Sequence, residues 1–476
     1  MRLLILLLLA GLVLGCARSH RVEVASPTGA LAAPADSAAR EMRHPPPPLA
    51  AAEAGSERLD ITRAIAIALE HNPDMAVAAE RLAAAASLLA AARGVFYPTV
   101  SLDVSALRAD APSTYLFKRI DQRELASSTD FNDPGRLTNY EAGITLRWEL
   151  FRGGGDAAGL GMAREDHELA RLGREAVRNE LVAAVSFAFH DIISTDELAA
   201  AEAAAVETVK AEVAEARTRF EAGAVLKDEV LSLEVRLAEA EDRLIGARNA
   251  GRLARAALAS LLARDPAGAE GLACADVPPP GVPETYEAGL AFGRAQSPEL
   301  RAAQCALARA RLAVTQATSG YYPTVGVFGR CYHDDERFGF NRNDVNWLVG
   351  ADITWPIFSG FTTYHRTAAA RAGERQAEAA LRRAELDLER RVRTAYIQLA
   401  DAWSRRQVTE AAVARAAETL ELVSRRYAAG AETITRYLAA EQDRTGARVS
   451  AIRARCSERR ARAEVARVLG WWTSAQ

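Results

Sequence analysis

The chain has 476 residues and a net charge of −3, with basic and acidic residues in near-equal numbers. This balance gives no electrostatic basis for binding nucleic acid. Aromatic residues make up only 6% of the chain while alanine is frequent, a composition that favours long helices with small residues at their contacts. The length allows two or three ordinary domains or one large repeated architecture.

The N-terminus carries the pattern of a bacterial export signal. A positive charge precedes an apolar run, residues 3–14, that is too short for an ordinary membrane-spanning helix. The run ends in Val-Leu-Gly followed by Cys16, which resembles a lipobox, in which the cysteine is acylated and becomes the first mature residue. An ordinary cleaved signal with an incidental cysteine is the alternative. We predict a lipoprotein signal peptide over residues 1–15.

The next segment is rich in alanine, proline and serine and includes four consecutive prolines. Such a segment cannot bury enough apolar surface to fold alone, and its prolines favour extended polyproline II. We therefore predict that residues 16–58 form the lipid anchor and a tether to the folded body.

Four cysteines remain after Cys16. They lie far apart, form no C-x-x-C motif and have no histidines at ligand spacing, which argues against a zinc site. The pattern leaves open whether any of them pair in an oxidising compartment. They are Cys274, Cys305, Cys331 and Cys456.

The first half of the body changes from a helical to a strand-like pattern. Helices are predicted over residues 61–69 and 74–93. Strands are predicted over about 96–108 and 138–150, where apolar and polar residues alternate. Residues 109–137 are polar, contain prolines and a glycine, and are predicted to form a long loop.

A long helical region follows, from about residue 156 to 221, and would span roughly 100 Å at about 1.5 Å per residue. A glycine breaks the pattern, and a second helix runs from about residue 228 to 263. Within it, apolar and small residues recur at alternating steps of three and four, the spacing of a coiled-coil seam. The seam consists of Val230, Leu233, Leu237, Ala240, Leu244, Ala247, Gly251, Ala254, Leu258 and Leu261.

The second half repeats the first. The junction between helix and strand at Pro98 returns at Pro323, 225 residues later, whereas the second strand and the following helices return after 207 residues. The difference falls in the loop between the strands, which is short in the second half, at residues 335–343. A duplication that keeps its register through the helices and varies in one loop indicates a repeated fold. The predicted organisation is a first repeat over 59–265, a linker over 266–283 and a second repeat over 284–472, with strands at about 322–334 and 345–357.

Four amphipathic strands cannot close a transmembrane barrel, because the smallest such barrels need about eight and an open sheet edge is not tolerated in lipid. If these strands span a membrane, several chains must share one barrel. Trp148 and Trp355, near the strand ends, would then lie at the level of the lipid headgroups. The predicted fold class is mainly α with a membrane β-barrel, internally duplicated, with four β-strands and long coiled-coil helices per chain.

From about residue 59 onward the chain resembles the TolC-like family of outer-membrane channel proteins. The resemblance is carried by the paired Tyr-Pro junctions, by the strand endings at 148–154 and 355–360, and by the tip motifs that end in Gly223 and Gly430. With the lipobox, the chain is most similar to the lipoprotein branch that serves drug-efflux pumps. The resemblance implies a homotrimer in the outer membrane, with a shared twelve-strand barrel and a periplasmic helical tunnel.

The resemblance also implies partners. A periplasmic adaptor would dock at the helix tips, and an inner-membrane transporter, proton-driven in this branch, would supply the energy. The tip positions implied for docking are Gly223, Gly430, Arg219 and Arg426. No catalysis and no cofactor are implied, because the channel only provides an aqueous path.

Control of the periplasmic entrance departs from the family pattern. Some members close the entrance with aspartates six and nine residues after the second tip glycine, where this chain has Arg436 and an alanine. Asp228 and Glu229 are candidates for entrance charges, with ordinary solvated or interhelical charges as the alternative. Tyr427 holds the place of a tyrosine that helps to keep the entrance shut in the family, but Glu432 stands where its partner arginine would be.

The predicted function is a passive trimeric duct of a tripartite export system that carries small molecules such as drugs. The sequence has no G-x-S-x-G, Walker A or H-E-x-x-H motif, so an enzyme is not predicted. An exit duct for protein or peptide secretion is the alternative within the same family. A coiled-coil envelope tether fits less well, because it has no use for four amphipathic strands with tryptophans near their ends. A periplasmic adaptor also fits less well, because it should carry one helical hairpin inside β-rich domains, whereas here the hairpin occurs twice and the strands are only four.

Overall fold

The computed structural model describes residues 58–223, 225–265, 273–274, 281–337 and 345–473. The predicted signal peptide, Cys16 and nearly all of the predicted tether lie outside the described residues. The helices are α1 (Ile61–His71), α2 (Pro73–Arg93), α3 (Pro112–Asp121), α4 (Gly155–Glu221), α5 (Lys227–Leu261), α6 (Tyr286–Gln296), α7 (Pro298–Thr318), α8 (Thr362–Ala428) and α9 (Ile434–Leu469). The strands are β1 (Arg58–Leu59), β2 (Thr99–Ala109), β3 (Leu137–Arg152), β4 (Ala273–Cys274), β5 (Thr324–Asp335) and β6 (Val345–Thr354).

The internal duplication is confirmed by the positions of the elements. Helices α6 and α7 begin and end 225 residues after α1 and α2, as from Ile61 to Tyr286. Helix α8 begins and ends 207 residues after α4, as from Gly155 to Thr362. Both long helices have 67 residues and are therefore about 100 Å long at about 1.5 Å per residue.

Strands β2, β3, β5 and β6 form one antiparallel sheet in that order. The register places Leu102 opposite Ile144, so that apolar residues of neighbouring strands share one face. The intervening residues, such as Ser101 opposite Thr145, share the other face, which is mostly polar. The alternation predicted from the sequence is confirmed, and the sheet ends in two edge strands, β2 and β6.

The long helices form two hairpins, α4 with α5 and α8 with α9. Each of the ten residues of the predicted seam in α5 is buried or half-buried, as a coiled-coil contact requires. Phe189 of α4 and Leu258 of α5 are fully buried in a core that also includes α1. The second half repeats this arrangement, with Val392 of α8 and Leu469 of α9 in the core beside α7.

A short 3₁₀ turn connects helix to strand in each half, at Gly94–Phe96 and at Ser319–Tyr321. Pro98 and Pro323 lie between this turn and the first residue of the strand. Proline cannot continue a helix and restricts the residue before it to extended conformations. The two prolines therefore mark the same change from helix to strand in both repeats.

The ends of the second strands are fastened to these turns. The indole Nε1 of Trp148 donates a hydrogen bond to the carbonyl oxygen of Phe96 at 3.0 Å. Trp355 donates in the same way to the carbonyl oxygen of Tyr321 at 3.1 Å. The two bonds join equivalent residues of the two repeats.

The loop between β2 and β3 differs from the sequence-based expectation. The prediction of a long loop over residues 109–137 is wrong in part, because this segment contains helix α3. The helix begins at Pro112, a favoured first residue of a helix. Its apolar residues Leu116, Phe117 and Ile120 follow helical spacing, but the helix has only ten residues and lies between polar stretches, so the segment as a whole resembles a loop.

Other boundaries differ by a few residues. Strand β6 ends at Thr354 rather than near residue 357, because Pro356 has no N–H to donate to a strand partner. Strand β4, within the predicted linker, pairs in parallel with β1. Residues 338–343 of the predicted short loop lie outside the described residues. Among the described helices, only the segment Pro73–Phe96 is long and apolar enough by composition to cross a membrane, and it lies along α4.

Candidate functional site

The apolar face of the sheet is uncovered in the single chain. Leu102 is 65% exposed, Ile144 55% and Ile353 73%. A large exposed apolar surface marks a face that is covered by lipid or protein in the functional state. Trp148 lies near the helix-side end of β3 and Trp355 directly follows β6, so both lie at the same end of the sheet.

Helix α3 covers the opposite, polar face at the sheet end remote from the long helices. The Lys118 ammonium donates to Glu141 Oε2 at 2.5 Å and to Asp334 Oδ1 at 2.9 Å. Gln122 Nε2 donates to Asn139 Oδ1 at 2.7 Å. Because Glu141 and Asp334 are direct cross-strand neighbours, one lysine joins two strands to the helix.

Both hairpins turn at a glycine in the left-handed conformation. Gly223 has a φ of +73° and Gly430 of +71°, a region that residues with side chains rarely adopt. After α8 the turn is a Schellman motif, in which the N–H of Ala431 donates to the carbonyl of Arg426 at 2.9 Å and the N–H of Gly430 to that of Tyr427 at 3.0 Å. A β-carbon at either glycine would meet no atom within 4 Å, so the backbone conformation alone requires glycine and the surface is open.

A cavity of about 200 Å³ between the tips is lined by three predicted site residues, Arg219, Glu229 and Tyr427. Arg219 Nη1 donates to the Tyr427 hydroxyl at 3.1 Å, and its guanidinium lies 5.6 Å from the centroid of the Tyr427 ring. Nη2 of the same guanidinium forms an ion pair with Glu215 Oε1 at 2.5 Å. The structure thus brings together an arginine of the first hairpin and a tyrosine of the second.

The remaining predicted tip residues lie outside the lining of this cavity. Asp228 is exposed in the first turn of α5, and Arg436 is exposed near the start of α9. Arg426 is exposed beside Tyr427. Asp228 and Glu229 lie at the positive end of the α5 dipole, where acidic side chains stabilise a helix.

We expect Arg219→Ala to loosen the contact between the tips. The change removes a hydrogen bond and a cation–π contact, which at an exposed site stabilise by about 0.5–1 kcal/mol. Recordings in planar bilayers should show more frequent or larger openings. Arg217→Ala, which removes an exposed ion pair with Glu234 inside the first hairpin, is the matched control. Identical recordings from the two variants would contradict a role for Arg219 in holding the tips together.

A buried acid lies behind the tips, where α4 meets α5 and α9. Both carboxylate oxygens of Glu212 are buried, and burial raises the pKa of this carboxyl above its usual range. Burial and the nearby Glu212 also raise the pKa of the Tyr437 hydroxyl. The ionisable groups that face Glu212 are Glu215, Arg236, Tyr437 and Glu441.

The raised pKa of Glu212 predicts that packing behind the tips depends on pH. Protonated Glu212 favours the folded state. This contribution to the free energy of unfolding is fully present below the ordinary glutamate pKa of about 4.3 and is lost as the pH rises through the raised pKa. Because Glu212→Gln cannot ionise, we expect a higher Tm than the parent at neutral pH and a smaller gain in Tm on mild acidification. Glu207→Gln, at an exposed position of the same helix, is the control. A parent and a Glu212→Gln variant with the same pH dependence of Tm would refute this explanation.

The sequence patterns single out neither Glu212 nor Lys118. A glutamate between apolar positions of α4 is a weak signal, and Lys118 lies on the polar side of a ten-residue helix in a segment predicted to be a loop. Within the part of the chain that the structure describes, no three His, Cys, Asp or Glu side chains are placed to hold a metal ion. Cys305, Cys331 and Cys456 are free thiols, and the side chain of Cys274 lies outside the described part.

Comparison with known proteins covers most of the chain. The family model described as "Outer membrane efflux protein" matches residues 64–264 and 293–471. Protein CyaE of Bordetella pertussis is 28% identical over 399 residues, which cover 83% of this chain and 81% of CyaE. The crystal structure of the outer membrane protein VceC from Vibrio cholerae matches with a TM-score of 0.74 at 18% identity and covers 86% of this chain and 96% of VceC. The Campylobacter jejuni CmeC outer membrane channel matches with a TM-score of 0.75 at 17% identity and covers 86% of this chain and 85% of CmeC.

The family match includes one segment in each repeat, and the structural matches share the helical fold with its four-strand sheet. The family that the sequence resembles is therefore confirmed, together with an outer-membrane location and a periplasmic helical part. The chain belongs to the outer membrane efflux protein family, whose TolC-like members are non-enzymatic trimeric channels that work with a periplasmic adaptor and an inner-membrane transporter.

Proposed function

We propose that this chain is the lipid-anchored outer-membrane duct of a tripartite system that exports small molecules and is driven by a proton-dependent inner-membrane transporter. Three chains share one barrel of twelve strands, and the two repeats of each chain, 59–265 and 284–472, supply the tunnel. The duct itself is passive. Cargo, lipid anchor and energy source are the parts of this proposal that go beyond the family.

The sheet supports a barrel shared between chains. Its edge strands β2 and β6 leave backbone donors and acceptors free to pair with the edges of neighbouring copies. Its apolar face exposes large apolar side chains along β2, β3 and β6, as a lipid-facing surface requires. Pairing of edges between three chains removes every open edge from the lipid.

The long helices support a tunnel built from several copies. Besides its buried seam, α5 carries a second row of large apolar side chains that are exposed in the single chain. Contact with a neighbouring copy would cover this row and make each hairpin part of a closed wall. The row consists of Leu231, Val235, Ile245 and Leu253, which are 50%, 60%, 58% and 72% exposed.

The choice of small molecules as cargo rests on helix α3. In each chain this helix lies across the polar face of the sheet, which is the face that lines the lumen of a barrel in lipid. Three such helices take up width that a protein cargo would need. This observation favours small-molecule efflux over the secretion alternative.

The proposed lipid anchor predicts a clear effect of Cys16→Ser. The variant should lose incorporation of radiolabelled palmitate and should be cleaved, if at all, as an ordinary exported protein. Because the strands insert independently of the anchor, we expect trimers to form at a reduced level rather than to disappear. Cys331→Ser, which removes a different free thiol, is the control and should be labelled like the parent. Labelling of Cys16→Ser at the parental level would exclude the lipobox.

The experiment that tests the function combines transport with capture of the partner at the tips. Cells that lack the chain should accumulate a fluorescent dye such as ethidium, and the chain should restore its export unless the proton gradient is collapsed. A photo-crosslinker at Ala222 or Ala429, beside the tip glycines, should capture an adaptor and, through it, a proton-driven transporter. An ATP-driven exporter in the captured complex would point instead to protein or peptide secretion. Capture of neither partner, with no dye export, would favour a tether.

A further inference from the structure

Helix α3 lies at the end of the sheet opposite to the periplasmic tips. We propose that the three copies of α3 meet inside the mouth of the shared barrel and close its outer end, with Phe117 and Ile120 in contact with their counterparts in the other two chains. This closure rests on the trimeric duct proposed above. It adds a second barrier to the channel, at the end away from the adaptor.

The contacts of α3 place it on the lumen side of the sheet. Lys118 is bonded to Glu141 and Asp334, which lie side by side on the polar face. Arg119 Nη1 donates to Glu336 Oε2 at 3.0 Å, just beyond the end of β5. In a barrel embedded in lipid the apolar face turns outward and the polar face lines the lumen. Helix α3 therefore lies inside the barrel, near its extracellular end.

The orientation of α3 directs two apolar side chains away from the sheet. The residues that fasten the helix, Lys118, Arg119 and Gln122, lie within one side of the helical surface. Phe117 and Ile120 lie on the opposite side and are 70% and 49% exposed. Because the sheet curves around the lumen, the side of the helix that faces away from the sheet faces the threefold axis.

The width of the barrel brings the three helices together. Twelve strands about 4.8 Å apart and tilted by about 40° have a circumference of about 75 Å and a radius of about 12 Å. A helix with its side chains is about 10–12 Å wide, and three such cylinders placed side by side fill a circle of about 12 Å radius. Three copies of α3 in the mouth of the barrel therefore lie close enough to touch at the axis.

The chemistry of the exposed side favours a closed resting state. Phe117 and Ile120 would be surrounded by water in an open mouth, whereas contact with their copies removes their surfaces from water. The charged bonds on the other side hold each helix to its own sheet, so the three helices approach as fixed parts of the wall. Outward passage of cargo then requires the apolar contact at the axis to separate.

A disulfide test measures this contact in purified trimers. Phe117→Cys should form a disulfide-linked dimer on mild oxidation, and because three equivalent thiols can form only one disulfide, one chain of each trimer should remain unlinked. Val104→Cys, on the apolar outer face of β2, is the matched control. The native cysteines are kept in all variants, so the parent gives the background level of dimer, and Val104→Cys should not exceed it. Absence of the Phe117→Cys dimer in intact trimers would overturn the proposal.

Conductance tests the closure separately. Phe117→Asp combined with Ile120→Asp should raise conductance in planar bilayers several-fold and admit vancomycin to cells, whereas Phe117→Leu should behave as the parent. Both positions are exposed, so the trimer should assemble normally, which heat resistance on gels will check. Parental conductance of the aspartate variant would refute the closure. Neither readout involves a pump, so failure of dye export would refute the cargo assignment and leave this proposal standing.

Discussion

Ile144→Arg is expected to prevent stable assembly in the outer membrane. Ile144 lies on the apolar face of β3, 55% exposed, between Leu102 and Cys331 of the neighbouring strands. An arginine on the lipid side near the bilayer midplane costs about 2–4 kcal/mol, and a trimer carries this cost in each chain. Since 1.4 kcal/mol corresponds to a factor of ten, the amount of heat-resistant trimer in outer-membrane fractions should fall more than about tenfold.

Ser101→Arg is the control for Ile144→Arg. Ser101 pairs with Thr145, the residue after Ile144, and so lies at the same level of the sheet on the lumen side. An arginine there remains in water and has the carboxylate of Asp103 nearby, which is within 3.2 Å of the Ser101 hydroxyl. We expect parental trimer levels. If both arginine variants assemble equally well, the apolar face does not contact lipid and the orientation of the sheet is wrong.

Gly223→Val combined with Gly430→Val is expected to reduce export nearly to the level of cells without the chain. Valine in the left-handed conformation is strained, at a cost of about 1–2 kcal/mol per residue, so both turns must rearrange where the adaptor is proposed to dock. The turns lie about 100 Å from the sheet by helix length, so trimer levels should remain normal. Dye export, trimer level and adaptor capture should be measured on the same cells.

Gly246→Ala controls for the loss of a glycine as such. Gly246 lies inside α5, and a β-carbon there would meet no atom within 4 Å. Alanine in a helix interior is favoured over glycine by about 1 kcal/mol, so this variant should export normally and be slightly more stable. Normal export by the Gly223→Val, Gly430→Val variant would mean that the tips are not the docking surface.

Regular spacing in the sequence predicted most of the fold. The seam from Val230 to Leu261 lies on the buried side of a helix, and the alternation around Ile144 marks the apolar face of a sheet. Apolar residues recur along the sequence with the period of the helix or strand, so such sides can be predicted directly. The duplication added a second, independent copy of each pattern. For this reason even the limits of α8, Thr362–Ala428, follow from those of α4.

The parts that sequence did not predict depend on polar contacts between distant residues. Helix α3 is held by Lys118 to Asp334, which lies 216 residues further along the chain, and polar side chains leave no periodic trace of such a contact. Arg219 and Tyr427 were each predicted as tip residues, but their contact requires the relative rotation of two hairpins. The burial of Glu212 likewise depends on how α9 lies against α4.

The two indole hydrogen bonds bear on how force would travel through the channel. Trp148 to Phe96 and Trp355 to Tyr321 clamp the strand ends to the turns at the top of the helices, twice in every chain. In a trimer the clamps form a ring around the neck of the channel. A torque applied at the periplasmic tips would then be transmitted through these hydrogen bonds from the helices to the strands of the barrel.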